Sequence, residues 1–142
     1  MTSSRIVGFG LAVCLVAAPP ALAETISFKA ELKGSSEVPA NDSKGVGAVT
    51  ATYDTATKRL MWKGDYSGLS GPATMAHFHG PADPDKNAAV VVPIAPSTSP
   101  FERSATLTDA QAAELMTGKW YVNVHTAVHP GGEIRGQVVK GN

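Results

Sequence analysis

Glycine and proline interrupt this chain at short intervals, and their spacing constrains its fold more than any other feature. The chain contains 14 glycines and 10 prolines. The segments between them alternate in polarity or are rich in Val, Thr and aromatic residues, which is typical of an all-β sandwich or barrel. About eight strands are predicted: Thr25–Leu32, Val46–Tyr53, Arg59–Tyr66, Ala73–His79, Ala88–Ile94, Phe101–Leu107, Trp120–His125 and Glu133–Val139.

One segment does not follow the strand pattern. Thr108 is a suitable N-cap, Gln111 follows three residues later, and good helix formers continue as far as Met116, shortly before Gly118. This arrangement predicts one short helix at about residues 108–117, packed against the edge or end of the β-structure. The polar loop Gly34–Gly45, which contains a proline, is expected to be exposed and mobile.

The N-terminus has the pattern of a secretory signal peptide. Arg5 provides the positive charge, Val7–Ala18 the apolar region, and Ala21-Leu22-Ala23 the small residues of a cleavage site. We expect signal peptidase to remove residues 1–23 and leave a single exported domain, residues 24–142, in the periplasm or outside the cell. A membrane anchor is disfavoured because Pro19-Pro20 interrupts an apolar run that would need about 20 residues.

Composition excludes several kinds of partner and site. Lys and Arg together number 12, as do Asp and Glu, and a near-neutral charge argues against nucleic acid or an anionic membrane as partner. The only cysteine, Cys14, lies within the signal segment, where a lipid-modified cysteine is disfavoured by its neighbours. The mature domain therefore has no disulfide and no thiolate, so imidazole, carboxylate, thioether or backbone groups must hold any metal.

All four histidines fall in two short windows. His77 and His79 lie in Ala76–Gly80, and His125 and His129 lie in Asn123–His129. Side chains alternate between the faces of a strand. His77 and His79 therefore share a face, about 6.6 Å apart at roughly 3.3 Å per residue, and His125 lies opposite the apolar face of its own strand.

This pattern predicts a metal site formed by His77, His79 and His125, with His129 as a fourth ligand. Imidazoles suit copper or zinc, and copper(II) has the higher intrinsic affinity. Met75, on the same strand face as His77, could add a thioether that favours copper(I). The alternative is that the imidazoles are structural and bond to carbonyl groups of the turns.

Six segments resemble the CHRD domain, a family common in secreted bacterial proteins. They are Ala30–Pro39, Ser67–Pro72, Ala76–Ala82, Leu107–Gln111, Tyr121–Thr126 and Pro130–Gln137. The resemblance covers nearly the whole mature chain and includes both histidine windows. It implies an immunoglobulin-like β-barrel located outside the cytoplasm.

The site itself resembles, more distantly, that of copper–zinc superoxide dismutases. His77, His79 and His125 match the order and strand context of three copper ligands in that family, and Arg135 lies where its anion-guiding arginine is expected. A bridging histidine, the zinc-binding histidines and the disulfide are missing. Glu133 and Arg135 share a strand face, so a surface ion pair is the alternative role for this arginine.

These observations favour an exported copper-binding domain for storage, delivery or tolerance of the metal. The first alternative is a module that binds a protein or glycan through residues 34–45 or 95–100 without a metal. The second is an enzyme of the dismutase type. No sequence feature supports hydrolase or nucleotide chemistry.

Overall fold

The computed structural model describes residues 22–142, so nearly all of the predicted signal peptide lies outside the described residues. The described part forms nine strands and one helix, together with a short 3-10 turn at Gly34–Ser36. The strands are β1 (Thr25–Lys33), β2 (Val46–Asp54), β3 (Arg59–Ser67), β4 (Ala73–His79), β5 (Val90–Pro93), β6 (Phe101–Thr106), β7 (Tyr121–Thr126), β8 (Ile134–Gln137) and β9 (Val139–Lys140), and the helix is α1 (Asp109–Met116).

The strands form one antiparallel sheet in the order β5-β4-β7-β8-β1-β2-β3-β6, with β9 paired to β1. The pairing of β4 with β7 and of β3 with β6 joins strands that are not consecutive in the chain, as in a Greek key. The sheet curves into a nearly closed barrel or sandwich. The predicted all-β architecture of about eight strands with one short helix is therefore confirmed.

Side chains alternate between buried and exposed along the strands, and the buried ones form the core. Every second side chain is buried in the later part of β1, in the second half of β2 and in the first half of β3. The largest core side chains from the two halves of the sheet meet in the middle: Phe28, Leu60 and Trp62 from one half, and Phe78, Trp120, Val122 and Val124 from the other. The Trp62 and Phe78 rings pack edge to face at 5.1 Å.

The local motifs form largely as predicted. In α1 the hydroxyl of Thr108 accepts a hydrogen bond from the Gln111 backbone N–H, and the Gln111 side chain accepts one from the Thr108 N–H, which completes a capping box. Gly118 follows the helix with a positive φ of 72°. Within residues 22–142, no helix is long and apolar enough to cross a membrane.

Two predicted strands are shorter than expected. The segment predicted as a strand at Ala88–Ile94 pairs only at Val90–Pro93, because the Ala88 backbone carbonyl instead accepts hydrogen bonds from side chains of β4 and β7. The segment Glu133–Val139 divides into β8 and β9. Between these two strands, the Val138 N–H donates to the Trp120 carbonyl.

The expectation that residues 34–45 are an exposed loop is wrong for much of the segment. Gly34, Glu37 and Gly45 are buried. The Asn41 amide donates to the Glu133 carbonyl at 3.0 Å, which holds the segment against the end of β8. Polar side chains of this segment form hydrogen bonds to the rest of the domain. Its polarity therefore does not indicate exposure to solvent.

A fully buried carboxylate, Glu133, connects three separate segments. One oxygen accepts hydrogen bonds from the Ser43 hydroxyl and the Ser70 backbone N–H, each at 2.7 Å. The other accepts from the Ser70 and Thr126 hydroxyls at 2.6 and 2.5 Å. Burial by itself would raise the pKa of Glu133, but the hydrogen bonds from Ser70, Thr126 and Ser43 outweigh it and lower the pKa to about 2.

We predict that Glu133 makes stability depend on acid pH. Because its pKa is lower in the folded state than the ordinary 4.5, it stabilises the fold above about pH 5, and this contribution of about 3 kcal/mol is lost as pH falls towards 2. Glu133→Gln places an amide N–H against hydroxyl donors and should lower the free energy of unfolding at pH 7. Urea denaturation between pH 7 and 3 measures both effects. Exposed Glu102→Gln is the control, and identical pH profiles for all three proteins would contradict the prediction.

Candidate metal centre

Three histidines meet on the face of the sheet opposite the apolar core. His77 and His79 belong to β4, and His125 belongs to the adjacent strand β7. In the register of this pair, Met75 lies across from His125, and His77 lies across from Asn123. Val122 and Val124 fill the core side of β7, and Trp120, just before the strand, lies in the core with them, so the predicted assignment of strand faces is confirmed.

The three imidazoles are close enough to share one ion. One nitrogen from each ring lies within 4.8 Å of one nitrogen from each of the others. Three points with this spacing fit within a circle of radius about 2.8 Å, compared with a metal–nitrogen bond of about 2.0–2.1 Å. The ring centroid of His77 lies 5.4 Å from that of His79 and 5.1 Å from that of His125. Small side-chain adjustments would therefore bring all three nitrogens to bonding distance.

Backbone carbonyls determine which nitrogen is available in two of the rings. The Nδ1 of His79 lies 2.9 Å from the Ala88 carbonyl oxygen, and the Nδ1 of His125 lies 2.9 Å from the Pro130 carbonyl oxygen. A carbonyl only accepts, so each Nδ1 must carry its proton and donate it. When the ring is neutral, its Nε2 then carries the lone pair. Histidines that bind metals characteristically have their second ring nitrogen anchored in this way.

His77 is the most accessible member of the cluster. Its Nδ1 lies 3.3 Å from the Nε2 of His125, about the separation of two nitrogens bound to one tetrahedral ion. His77 is partly exposed, whereas His79 and His125 are buried. It also borders an open pocket of about 320 Å³, lined in addition by Met75, Ile94 and Pro96. An ion or ligand would reach the cluster from this side.

The electrostatic environment favours neutral imidazoles. Burial, together with the neighbouring His125 and His79, lowers the pKa of His77. Burial also lowers the pKa of His79, although hydrogen bonding to Ala88 and Asn123 acts in the opposite direction. Only a neutral imidazole has a lone pair to offer a metal. At neutral pH these two side chains are therefore in the form that binds metals.

A segment after β4, which we call the covering segment (residues 82–88), lies across this face of the sheet. The Arg135 guanidinium donates to the Lys86 carbonyl at 2.6 Å and to the Asn87 side chain at 2.9 Å. The Tyr121 hydroxyl and the Ala88 backbone also contact each other. The cluster is thus partly enclosed between the sheet and the covering segment.

The rings of His79 and Tyr121 stack face to face, and Arg135 contacts the same tyrosine. The two ring planes are within 1° of parallel, with centroids 4.8 Å apart. The guanidinium carbon of Arg135 lies 3.4 Å from the Tyr121 ring centroid, a cation–π contact. This packing, with the Ala88 carbonyl, restricts the orientation of His79.

The remaining predicted site residues lie outside the three-histidine cluster. Met75 is 48% exposed at its rim. His129 lies in the turn after β7, where its backbone carbonyl accepts from Thr126 and Gly132, and its imidazole does not join the group. That Met75 and His129 bind a metal remains a prediction.

Arg135 is 1% exposed and bonded to the covering segment, which favours a structural role over guiding anions from solution. The alternative role for Arg135, a surface ion pair with Glu133, is wrong, because both side chains are buried and bond to different partners.

Two polar residues near the cluster were not predicted from the sequence. Asn123 is buried directly across from His77, and Glu37 is buried beside it. Burial raises the pKa of Glu37 to about 7, although the Arg135 charge, the Val38 N–H and the Asn123 amide act in the opposite direction. Strand alternation places Asn123 on the histidine face, but no local pattern indicates that Glu37 reaches it.

The comparisons with known proteins identify the family. The CHRD domain family model matches residues 28–138, a region that contains the whole cluster and the covering segment. The chain therefore belongs to the CHRD domain family. No curated protein and no solved structure matches the chain, so the resemblance to superoxide dismutases has no support from them.

We predict an unusual tautomer for two histidines in the metal-free protein. The Ala88 and Pro130 carbonyls require the Nδ1–H form of His79 and His125. Long-range ¹H–¹⁵N NMR spectra should show a protonated Nδ1 and a lone pair on Nε2 in both rings. Titration should place the pKa of His77 and His79 below the ordinary 6.5. Nε2–H tautomers in these two rings would contradict the assignment.

Proposed function

We propose that this CHRD domain protein is an exported copper-binding protein, with His77, His79 and His125 as the ligands of the metal. Its role would be to store or deliver copper, or to contribute to copper tolerance, in the periplasm or outside the cell. The observation that carries the proposal is the convergence of three imidazole nitrogens within 4.8 Å of one another. The anchoring of two of these rings by carbonyl groups supports it further.

The donor set supports copper over other ions. No carboxylate within residues 22–142 joins the histidine group, and calcium or magnesium would require several oxygen ligands. Imidazoles suit copper and zinc, and copper(II) binds more tightly to a given nitrogen site. Zinc is the alternative metal. Met75, whose Cα lies across from that of His125, is the side chain that could add a thioether for copper(I).

The histidine variants test the site directly. His77→Ala, His79→Ala and His125→Ala should each weaken copper binding by more than about 10-fold, because even losses among groups that only support the ligands cost 10–100-fold. Competition titration of the purified protein against a chromophoric chelator measures the affinity. His129→Ala is the comparison with a histidine in the turn after β7, outside the cluster. Unchanged affinity in this variant would exclude His129 as a fourth ligand, and a loss would include it. Unchanged affinity in all three cluster variants would refute the proposed site.

Export makes a separate prediction about the N-terminus. If signal peptidase recognises Ala21-Leu22-Ala23, the protein recovered from outside the cytoplasm should begin at Glu24. Mass spectrometry of the intact protein from fractionated cells gives the answer. Recovery of the chain with residues 1–23 attached, in the cytoplasmic fraction, would contradict export.

One observation favours a second function, the recognition of another molecule without a metal. Four of the six residues in the segment 95–100 line the pocket next to His77, whereas residues 34–45 are held against the domain by Glu133. In this case the loop 95–100 would carry the binding surface. Metal-free and copper-loaded protein should then bind the partner equally, whereas the copper proposal requires high-affinity metal binding.

A further inference from the structure

Three buried polar atoms beside the cluster have no hydrogen-bond partner among the described residues. They are the Nε2 of His79, the Oδ1 of Asn123 and the Oε1 of Glu37. A buried polar atom without a partner costs about 1–3 kcal/mol, and in native proteins such an atom often indicates an ion or a water molecule. Three such atoms next to the histidine cluster therefore point to an ion or a water molecule that binds among them.

Asn123 occupies the central position among the histidines. It lies directly across from His77 in the β4–β7 pairing, and its strand neighbour on the same face is His125. His79 lies across from Tyr121, which places it diagonally next to Asn123. The Asn123 side chain is 3% exposed. No other side chain of β7 adjoins all three histidines in this register.

The neighbouring carboxyl group determines the orientation of the Asn123 amide. Gly132, with a φ of 130°, lies against both side chains. A Cβ atom at this position would collide with the Oε1 of Glu37 and would lie 2.7 Å from the Nδ2 of Asn123. The amide nitrogen of Asn123 therefore lies on the side of the Glu37 carboxyl group, which can accept a hydrogen bond from it. With Nδ2 directed to Glu37, Oδ1 is directed to the opposite side of the amide, where His79 lies.

The amide oxygen and the His79 nitrogen are both electron-pair donors. The Nε2 of His79 has a lone pair because Nδ1–H is donated to Ala88, and an amide oxygen can only accept. Neither atom can satisfy the other. A metal cation bound to both Nε2 and Oδ1 would satisfy both atoms.

We propose that Asn123 is a fourth protein ligand, which binds the metal through its side-chain oxygen, with Glu37 as the residue that orients the amide. The inference rests on the proposed metal-binding function. Three imidazoles and one neutral oxygen form a donor set that suits copper(II). The site would then favour copper(II) over copper(I), for which the rim thioether of Met75 is the better donor.

Spectroscopy of the unaltered protein provides the first test. In protein labelled with ¹³C and ¹⁵N at asparagine, one equivalent of zinc(II) should shift the side-chain ¹³Cγ and Nδ2–H₂ resonances of Asn123. Those of Asn87, which lies in the covering segment and bonds to Arg135, should move much less. An Asn123 carbonyl resonance that does not move upon zinc binding would overturn the inference.

Variants provide the second test. Asn123→Ala should weaken copper(II) binding by about 10–100-fold and change the copper(II) EPR spectrum. Asn123→Asp keeps the oxygen and should bind at least as tightly as the original protein. Glu37→Gln should cause a smaller loss, and Val128→Ala, the control at an exposed position in the turn after β7, should leave copper(II) affinity and spectrum unchanged. Thermal unfolding of each metal-free variant shows whether the fold is intact. If Asn123→Ala does not fold, the Asn123→Asp variant and the spectra of the labelled protein decide whether Asn123 binds the metal.

The outcomes separate this inference from the proposed function. If the protein binds copper and the histidine variants lose it, but Asn123→Ala retains both affinity and spectrum, the fourth ligand is refuted and the three-histidine site stands. If the unaltered protein binds neither copper nor zinc, the proposed function fails, and the inference fails with it.

Discussion

The antiparallel pairing of β4 with β7 is the constraint on which the candidate site depends. This pairing places two histidines of one strand next to a third histidine of the other, on one face and within 4.8 Å. A shift of one residue would turn one strand's side chains to the opposite face. Large apolar side chains prevent such a shift, because Phe78, Val122 and Val124 must remain in the core. Packing of the core thus determines the geometry of the polar site.

The polar face is itself a buried layer, which imposes a second requirement. Buried polar groups must find partners, and most of those on this face do so through the backbone. The Ala88 and Pro130 carbonyls bond to histidines, and the Lys86 carbonyl bonds to Arg135. The same bonds hold the covering segment in place. Three of the buried atoms that lack partners among the described residues adjoin the histidine cluster, which is where a bound cation would supply the missing interaction.

Local patterns predicted a large part of the fold and the core of the site. Period-two alternation identified the strands to within one or two residues in most cases, and it placed His125 and Asn123 opposite Val122 and Val124. The capping residues around α1 identified the helix. The roles of Glu133 and of residues 34–45 were not predicted, because a buried carboxylate and an exposed one have the same local sequence. Only its bonds to Ser43, Ser70 and Thr126 distinguish the buried Glu133.

The sequence by itself determined which side chains share a strand face, because alternation is a property of every extended backbone. It therefore determined that His77 and His79 act together, that His125 lies on a polar face, and that thiolates are excluded from the described domain. The tertiary structure alone decided which strands are neighbours, and so which histidines meet. It also decided that His129 stays outside the cluster and that Glu37 and Asn123 join its surroundings. These contacts link residues far apart in the chain, and their positions follow from packing of the whole barrel.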